Sequence, residues 1–244
     1  MKFRYVDAVT QNLKIASEKN QGVLERLVHR LVQDVRTDRK LWAFGSGHSA
    51  LFPQELYHRA GGASFLIPVV ADFLMPSAGP PIAGLMERTP LVANAILARH
   101  EPQAGEMIWI MSQSGVNAAV VDLALYAKSL GLSTVAWTSV PHSQAVSSRH
   151  SSSKRLFEVC DETVDLVGFR GDASIEIQPG LRAGPLSLVT AVTLGHSCLV
   201  EACALLEAQG VRVTYTSVNT PEGESRNLEI ERQASKRDPR LIRA

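Results

Sequence analysis

The residues with chemistry to offer gather at three places where an apolar run gives way to small and hydroxylated side chains. Leu41-Trp42-Ala43-Phe44 breaks into Gly45-Ser46-Gly47-His48-Ser49, Met107-Ile108-Trp109-Ile110-Met111 into Ser112-Gln113-Ser114-Gly115, and Ser133 to Trp137 into Thr138-Ser139. The first two read as buried strand, tight loop and helix start. Glycine lets the backbone turn sharply and come close to a ligand, the serines add hydroxyls, and the first helical amides point outward without partners. Such a corner attracts an anion, most often a phosphate. Ordinary strand-to-helix turns use the same residues, so the repetition carries the reading, not any one loop.

Proton transfer at such a rim needs a carboxylate or an imidazole within reach. Glu55 is the candidate base, on the helix expected to leave the first loop and about two turns from the bound anion by helix rise. His58, three residues on, shares that face, and His58 and His48 are the candidate acid-base partners. A solvated glutamate paired with Arg59 at i+4, and a surface histidine, are the plain alternatives. Lys154, after a serine run, and Asn117, opening the helix after the second loop, are possible substrate contacts. Asp172 beside Gly171 reads as a turn, and Glu222, Glu224 and Asn227 as part of a surface loop.

The elements that must position these residues follow from periodicity. Residues 3 to about 36 carry apolar positions at helical spacing, as two helices or one long one broken near Asn20-Gln21-Gly22. A helix is expected over Ala50 to Ala60, an edge strand with a proline over Ser64 to Val70, and a long irregular segment from Asp72 to Arg88. Thr89-Pro90 is expected to open a helix through about Arg99, and Asn117 to Leu130 forms another. Lys154 to Cys160 is read as a short helix, Thr163 to Val167 as a strand, Gly168 to Gly184 as irregular, and Leu186 to Gln209 as the most apolar helix. Asn219 to Asn227 is read as loop and Lys236 to Ala244 as a frayed, charged end. Strands alternating with helices imply a parallel sheet with ligands beyond the strands' carboxyl ends, so the three loops should meet at one rim.

A chain of 244 residues with formal charge +1 can bury one large core and lacks the excess of cations that a nucleic-acid surface or polybasic membrane anchor uses. The expected organisation is one domain over 1–244: a helical arm (1–37), an α/β core (38–230) and a charged tail (231–244). No apolar run is read as approaching the roughly 20 residues of a membrane span, and the start of the chain is charged and amphipathic, so a cytoplasmic protein is expected. Its three cysteines form no C-x-x-C pair, and its histidines are dispersed, so no metal or other cofactor is expected. Gly45 to Ala50 also satisfies G-x-G-x-x-A, but a dinucleotide fold explains neither the second serine loop nor Thr138-Ser139. A serine hydrolase would need a G-x-S-x-G elbow, which residues 112–115 do not supply.

These loops resemble those of the sugar isomerase, or SIS, domain. The wording Gly45-Ser-Gly-His-Ser, Glu55-Leu-Tyr-His-Arg-Ala-Gly-Gly62, His150-Ser-Ser-Ser-Lys-Arg-Leu156 and Gly171-Asp-Ala is similar to a branch lacking an appended DNA-binding domain. The resemblance implies a flavodoxin-like three-layer α/β/α sandwich around a five-stranded parallel sheet, assembled as a homodimer or homotetramer. It implies a phosphorylated sugar as ligand, gripped by Gly45, Ser46, Gly47, Ser49, Ser112, Ser114, Gly115, Thr138 and Ser139. His48, and Val116 after Gly115, depart from better-known members. The expected activity is aldose–ketose isomerisation by a glutamate base; a phosphosugar lyase or deaminase, and a non-catalytic phosphosugar sensor, stay open.

Overall fold

A computed structural model describes residues 3–241. The chain opens with α1 (Arg4–Arg36), followed by β1 (Leu41–Gly45), a 3-10 turn (Gly47–Ala50), α2 (Leu51–Leu56) and β2 (Leu66–Val69). Two further 3-10 turns lead to α3 (Pro80–Met86), α4 (Val92–Ala98), β3 (Met107–Met111), α5 (Ala118–Ser129) and β4 (Ser133–Thr138). Next come α6 (Val140–Gln144), α7 (Leu156–Val159), β5 (Glu162–Asp165), an antiparallel hairpin of β6 (Ile175–Gln178) and β7 (Leu181–Ala183), α8 (Ser187–Ala208) and α9 (Pro221–Ala234).

Five parallel strands pair in the order β2-β1-β3-β4-β5. That order reverses direction between β1 and β3, the place where open α/β sheets hold ligands. Alternation along each strand makes the layers. Leu41, Ala43, Trp109, Met111 and Trp137 face the core shared with α1, α2 and α8, while Trp42, Phe44, Ile108, Ile110 and Ala136 face the core shared with α4 and α5. On the first face Phe52, Trp109 and Trp137 pack together, with the two indole centroids 4.7 Å apart. Burial of each such ring contributes about 1.5–3 kcal/mol.

The first helix is continuous where a break was expected. Gly22 is exposed and weakens the helix by about 1 kcal/mol, but Asn20 just before it is locked to β5. Its amide donates to Asp165 O at 2.8 Å and its carbonyl accepts from the Asp165 amide at 2.8 Å. About two turns upstream, Asn12 bonds Leu166 O, Thr190 Oγ1 and the Gly168 amide. Tertiary ties hold the helix through the glycine.

Other expectations are corrected in the same way. The helix after β1 ends at Leu56, because Tyr57 is extended and His58 takes φ +37°. The segment 72–88 contains two 3-10 turns and α3, and 168–184 contains the β6–β7 hairpin. Thr89 closes α3 by donating to Leu85 O, and α4 starts only at Val92. The stretch read as loop at 219–227 enters α9 at Pro221, so the 230/231 boundary falls inside a helix. Nor is the tail frayed through residue 241. The Tyr57 hydroxyl donates to buried Asp238 at 2.8 Å, Arg240 donates to Pro68 O on the sheet edge, and Arg237 pairs with Glu106, which is fully buried. Residues 242–244 lie outside the described part. Finally, α8 is long and apolar enough, by length and composition, to cross a membrane, contrary to the sequence reading. Here its buried side Ala191, Leu194, Cys198, Leu199, Ala202 and Leu206 forms core with the sheet and α1.

Candidate functional site

Register brings the three hydroxyl-bearing strand ends together. Gly45 is level with Met111, and Met111 with Trp137, so Ser46, Ser112 and Thr138 stand side by side at the carboxyl ends of adjacent strands. Gly45 makes the first loop possible. A Cβ there would lie 2.0 Å from the Ser49 carbonyl oxygen, so the turn folds back over a position with no side chain. Gly47 and Gly115 take φ +59° and +61°, the left-handed region that favours glycine. In the second loop, Ser112 Oγ accepts from the Gly115 amide at 3.1 Å.

The hydroxyls divide into two groups. Thr138 donates to Gln113 O at 3.2 Å, and Ser139 donates to Val167 O and accepts from the His142 amide. Both residues are fully buried, so their hydroxyls shape the rim from beneath. Ser49 and Ser114 are half-buried, and Ser46 and Ser112 keep a small exposure. Between Ser112 and Ser114, both polar atoms of the Gln113 amide are shielded and without a hydrogen-bond partner. A buried unpaired amide costs about 1–3 kcal/mol.

Two charged groups that the sequence reading missed flank this rim. Glu87 follows α3; Ser46 Oγ lies 3.4 Å from its carboxylate, and Asn117 bonds it as well. Burial raises its proton affinity above the ordinary value of 4.5, against the opposing pull of Ser46, Arg88 and Arg149. The folded state therefore holds this proton more tightly than the unfolded chain, and the stability it contributes is lost as pH rises from 4.5 through the folded value. Glu87→Gln is expected to raise Tm slightly near neutral pH, where it removes a half-buried charge, and to leave it unchanged below 4.5; a pH series of melting curves checks this. The second group is Arg149, whose Nη1 donates to Asn117 Oδ1 at 3.0 Å. Asn117 occupies the N-cap position of α5.

Glu55 is exposed on α2, in contact with Arg59 and 3.7 Å from His196 Nε2. It borders a cleft of about 580 Å³ walled by Tyr5, Leu51, Pro185, Leu188, Val189 and Val192. His196 comes from the middle of α8, and burial, with Arg59 nearby, lowers its proton affinity below the ordinary 6.5. The start of α8 is fixed by Asp172, the residue read as a turn, which accepts from the Leu186 and Ser187 amides at 3.0 Å each. The expected Glu55–His58 pair is not formed. Because the helix stops before it, His58 turns away, lies 3.1 Å from Glu231 and packs on Tyr215. His48 and Lys154 are exposed. Among the described residues no group of three or more His, Cys, Asp or Glu side chains is placed to hold a metal ion.

A parallel sheet in this order, with glycine and serine loops at its switch point, is a doubly wound α/β domain, and open sheets of this kind hold ligands at that rim. The chain belongs to the SIS-domain family, whose sequence profile matches residues 4–139. It is similar over nearly its whole length to UPF0309 proteins: 30% identical to one from Brucella ovis over 240 residues, 98% of each chain, and 28% identical to one from Shouchella clausii over 227 residues, 92% of each. Among solved structures it shares its fold with a phosphoheptose isomerase of Neisseria gonorrhoeae (TM-score 0.54, 14% identity, 84% of this chain and 96% of that one). A second phosphoheptose isomerase, from Francisella tularensis, gives TM-score 0.52 and 12% identity over 82% of this chain and 95% of that one.

Proposed function

We propose that this protein binds a phosphorylated sugar and isomerises it between aldose and ketose forms. The observation that carries the reading is that Glu55, on α2, the helix that leaves the first glycine-serine loop, lies 3.7 Å from His196 Nε2. The phosphate sits against the loops of Ser46, Gly47 and Ser49 and of Ser112, Ser114 and Gly115, with Asn117 at the helix start. Glu55 takes a proton from the carbon next to the carbonyl and returns it to the neighbouring carbon. His196 replaces His58 as partner, moving a proton at the sugar oxygen. Fold relatives named as phosphoheptose isomerases support the class of chemistry.

The test is to supply hexose, heptose and amino-sugar phosphates in heavy water and follow hydrogen exchange at C2 by NMR. Exchange with interconversion supports isomerisation; loss of ammonia or of an ether substituent makes it a deaminase or lyase. The contact between Glu55 and Arg59 favours a second reading, a sensor that binds the sugar without transforming it, since the arginine neutralises the carboxylate. Saturable binding with no exchange establishes that one.

Neutral His196 is the form this mechanism uses, and its proton affinity is lowered. The acid limb of kcat/KM is therefore expected to inflect below 6.5 and to vanish in His196→Gln at the residual rate. An inflection above that value removes His196 from the role. We place the protein in the cytoplasm as a homodimer or homotetramer. Exposed Val200 and Leu205 on α8, and Ile82, Leu85 and Leu91 around α3, are apolar surface that a second copy would cover.

A further inference from the structure

The loop between α6 and α7 is tied to α5 by a shielded side-chain pair. His150 Nε2 lies 2.9 Å from Asp122 Oδ1 on α5, and the two side chains are 7% and 12% exposed. The other Asp122 oxygen accepts from the Leu91 amide at 2.8 Å, so the carboxylate is itself held. On the far side of the ring the Ser152 amide donates to Nδ1 at 3.1 Å, which leaves Nε2 to carry the proton toward Asp122. Ser148 braces the loop internally, donating to Lys154 O at 2.7 Å and accepting from the His150 amide at 3.1 Å. So many fixed contacts are unusual for a stretch this exposed.

Their effect is to set the preceding residue. The Arg149 amide donates to Val116 O at 2.8 Å, and its side chain reaches Asn117 at the start of α5, two residues past Gly115. The guanidinium thus stands at the mouth of the second hydroxyl loop, facing Glu87 and, beyond it, Ser46 of the first. One of its N–H groups is engaged by Asn117; the rest of the planar fork is uncommitted among the described residues. That fork matches the oxygens of a phosphate, which it can bind in two parallel hydrogen bonds.

We infer that Arg149 reads the phosphate of the bound sugar, and that His150, through Asp122, is the positioning residue that holds it over the rim. The inference rests on the phosphosugar reading of the site and adds to it the cation that the two serine loops lack. It also assigns a role to the His150-Ser-Ser-Ser stretch.

The experiment is calorimetric titration with inorganic phosphate, and with fructose 6-phosphate against fructose, on the full chain. The native protein is expected to bind phosphate, and Arg149→Ala to weaken it about ten- to hundredfold. His150→Ala should weaken it nearly as much, whereas His150→Gln, whose amide can still donate to Asp122, should restore most of the affinity. In the Arg149→Ala background, His150→Ala should have no further effect. Failure of the native protein to bind phosphate or the phosphosugar overturns the site reading together with this inference. Binding that survives Arg149→Ala overturns the inference alone. Losses that add in the double variant, or a Gln variant as weak as Ala, show that His150 acts on something other than Arg149.

Discussion

Glu55→Gln is expected to slow C2 hydrogen exchange by about 10²- to 10⁴-fold while changing phosphosugar affinity less than about threefold. The substitution keeps the size of the side chain and an oxygen for Arg59, and removes the group that takes the proton. Stability is a clean control. The Glu55–Arg59 pair is 45% and 46% exposed, and exposed pairs of this kind contribute about 0–1 kcal/mol, so Tm should barely move. Exchange kinetics and a binding titration on the same preparation separate the outcomes. An unchanged rate removes Glu55 from the mechanism, and a matched loss of rate and affinity makes it a binding residue.

Gly45→Ala is expected to do the opposite, disabling binding and stability together. The added Cβ would lie 2.0 Å from the Ser49 carbonyl oxygen, 2.4 Å from its carbon and 2.9 Å from the Ala50 nitrogen. All three are backbone atoms, so no side-chain rotation relieves the overlap. The end of β1 or the 3-10 turn must move, and either carries Ser46, Gly47 and Ser49 with it. A cost of about 3 kcal/mol or more lowers Tm by about 6–12 °C in a chain of this size, and phosphate affinity falls even below the melting transition. Gly84→Ala, where a Cβ meets nothing within 4 Å inside α3, is the control and should hold or raise Tm. Equal melting temperatures for the two variants would show that the first loop is more pliant than its geometry indicates.

The parts of the fold legible in the sequence were those written locally. Met107 to Met111 is a continuous apolar run because a parallel strand covered on both faces needs no alternation, and the same holds for Leu41 to Phe44. Pro68 marked β2 as an edge strand for an equally local reason, its missing N–H. Helix starts were less secure. Thr89-Pro90 and Thr220-Pro221 carry the same signal, yet the first threonine closes the helix before it and the second pair opens α9. The difference lies in what each segment packs against, which the dipeptide does not encode.

At the site, the glycine-serine loops were legible because their residues are consecutive. Glu87, Arg149 and His196 were not, since Glu87 meets Ser46 across 41 positions and Arg149 meets Asn117 across 32. Glu87 also sits in a segment with no periodicity, where a single carboxylate has no signature. His196 had one faint signal, an imidazole in an otherwise apolar helix. The misassignment of His58 has a specific origin: i+3 spacing places two residues on one face only while the helix lasts, and this one ends at Leu56.

Glu106, buried just before β3, accepts from the Trp42 indole at 2.7 Å and from the Lys40 and Gln103 amides, but its counter-ion, Arg237, is 131 residues downstream. An enclosed carboxylate without its cation is strongly destabilising. The segment after α9 is thus a clasp on the amino end of β3: removing Arg237 would leave that carboxylate enclosed and unpaired, and the loss would be felt in the sheet, far from the substitution in sequence.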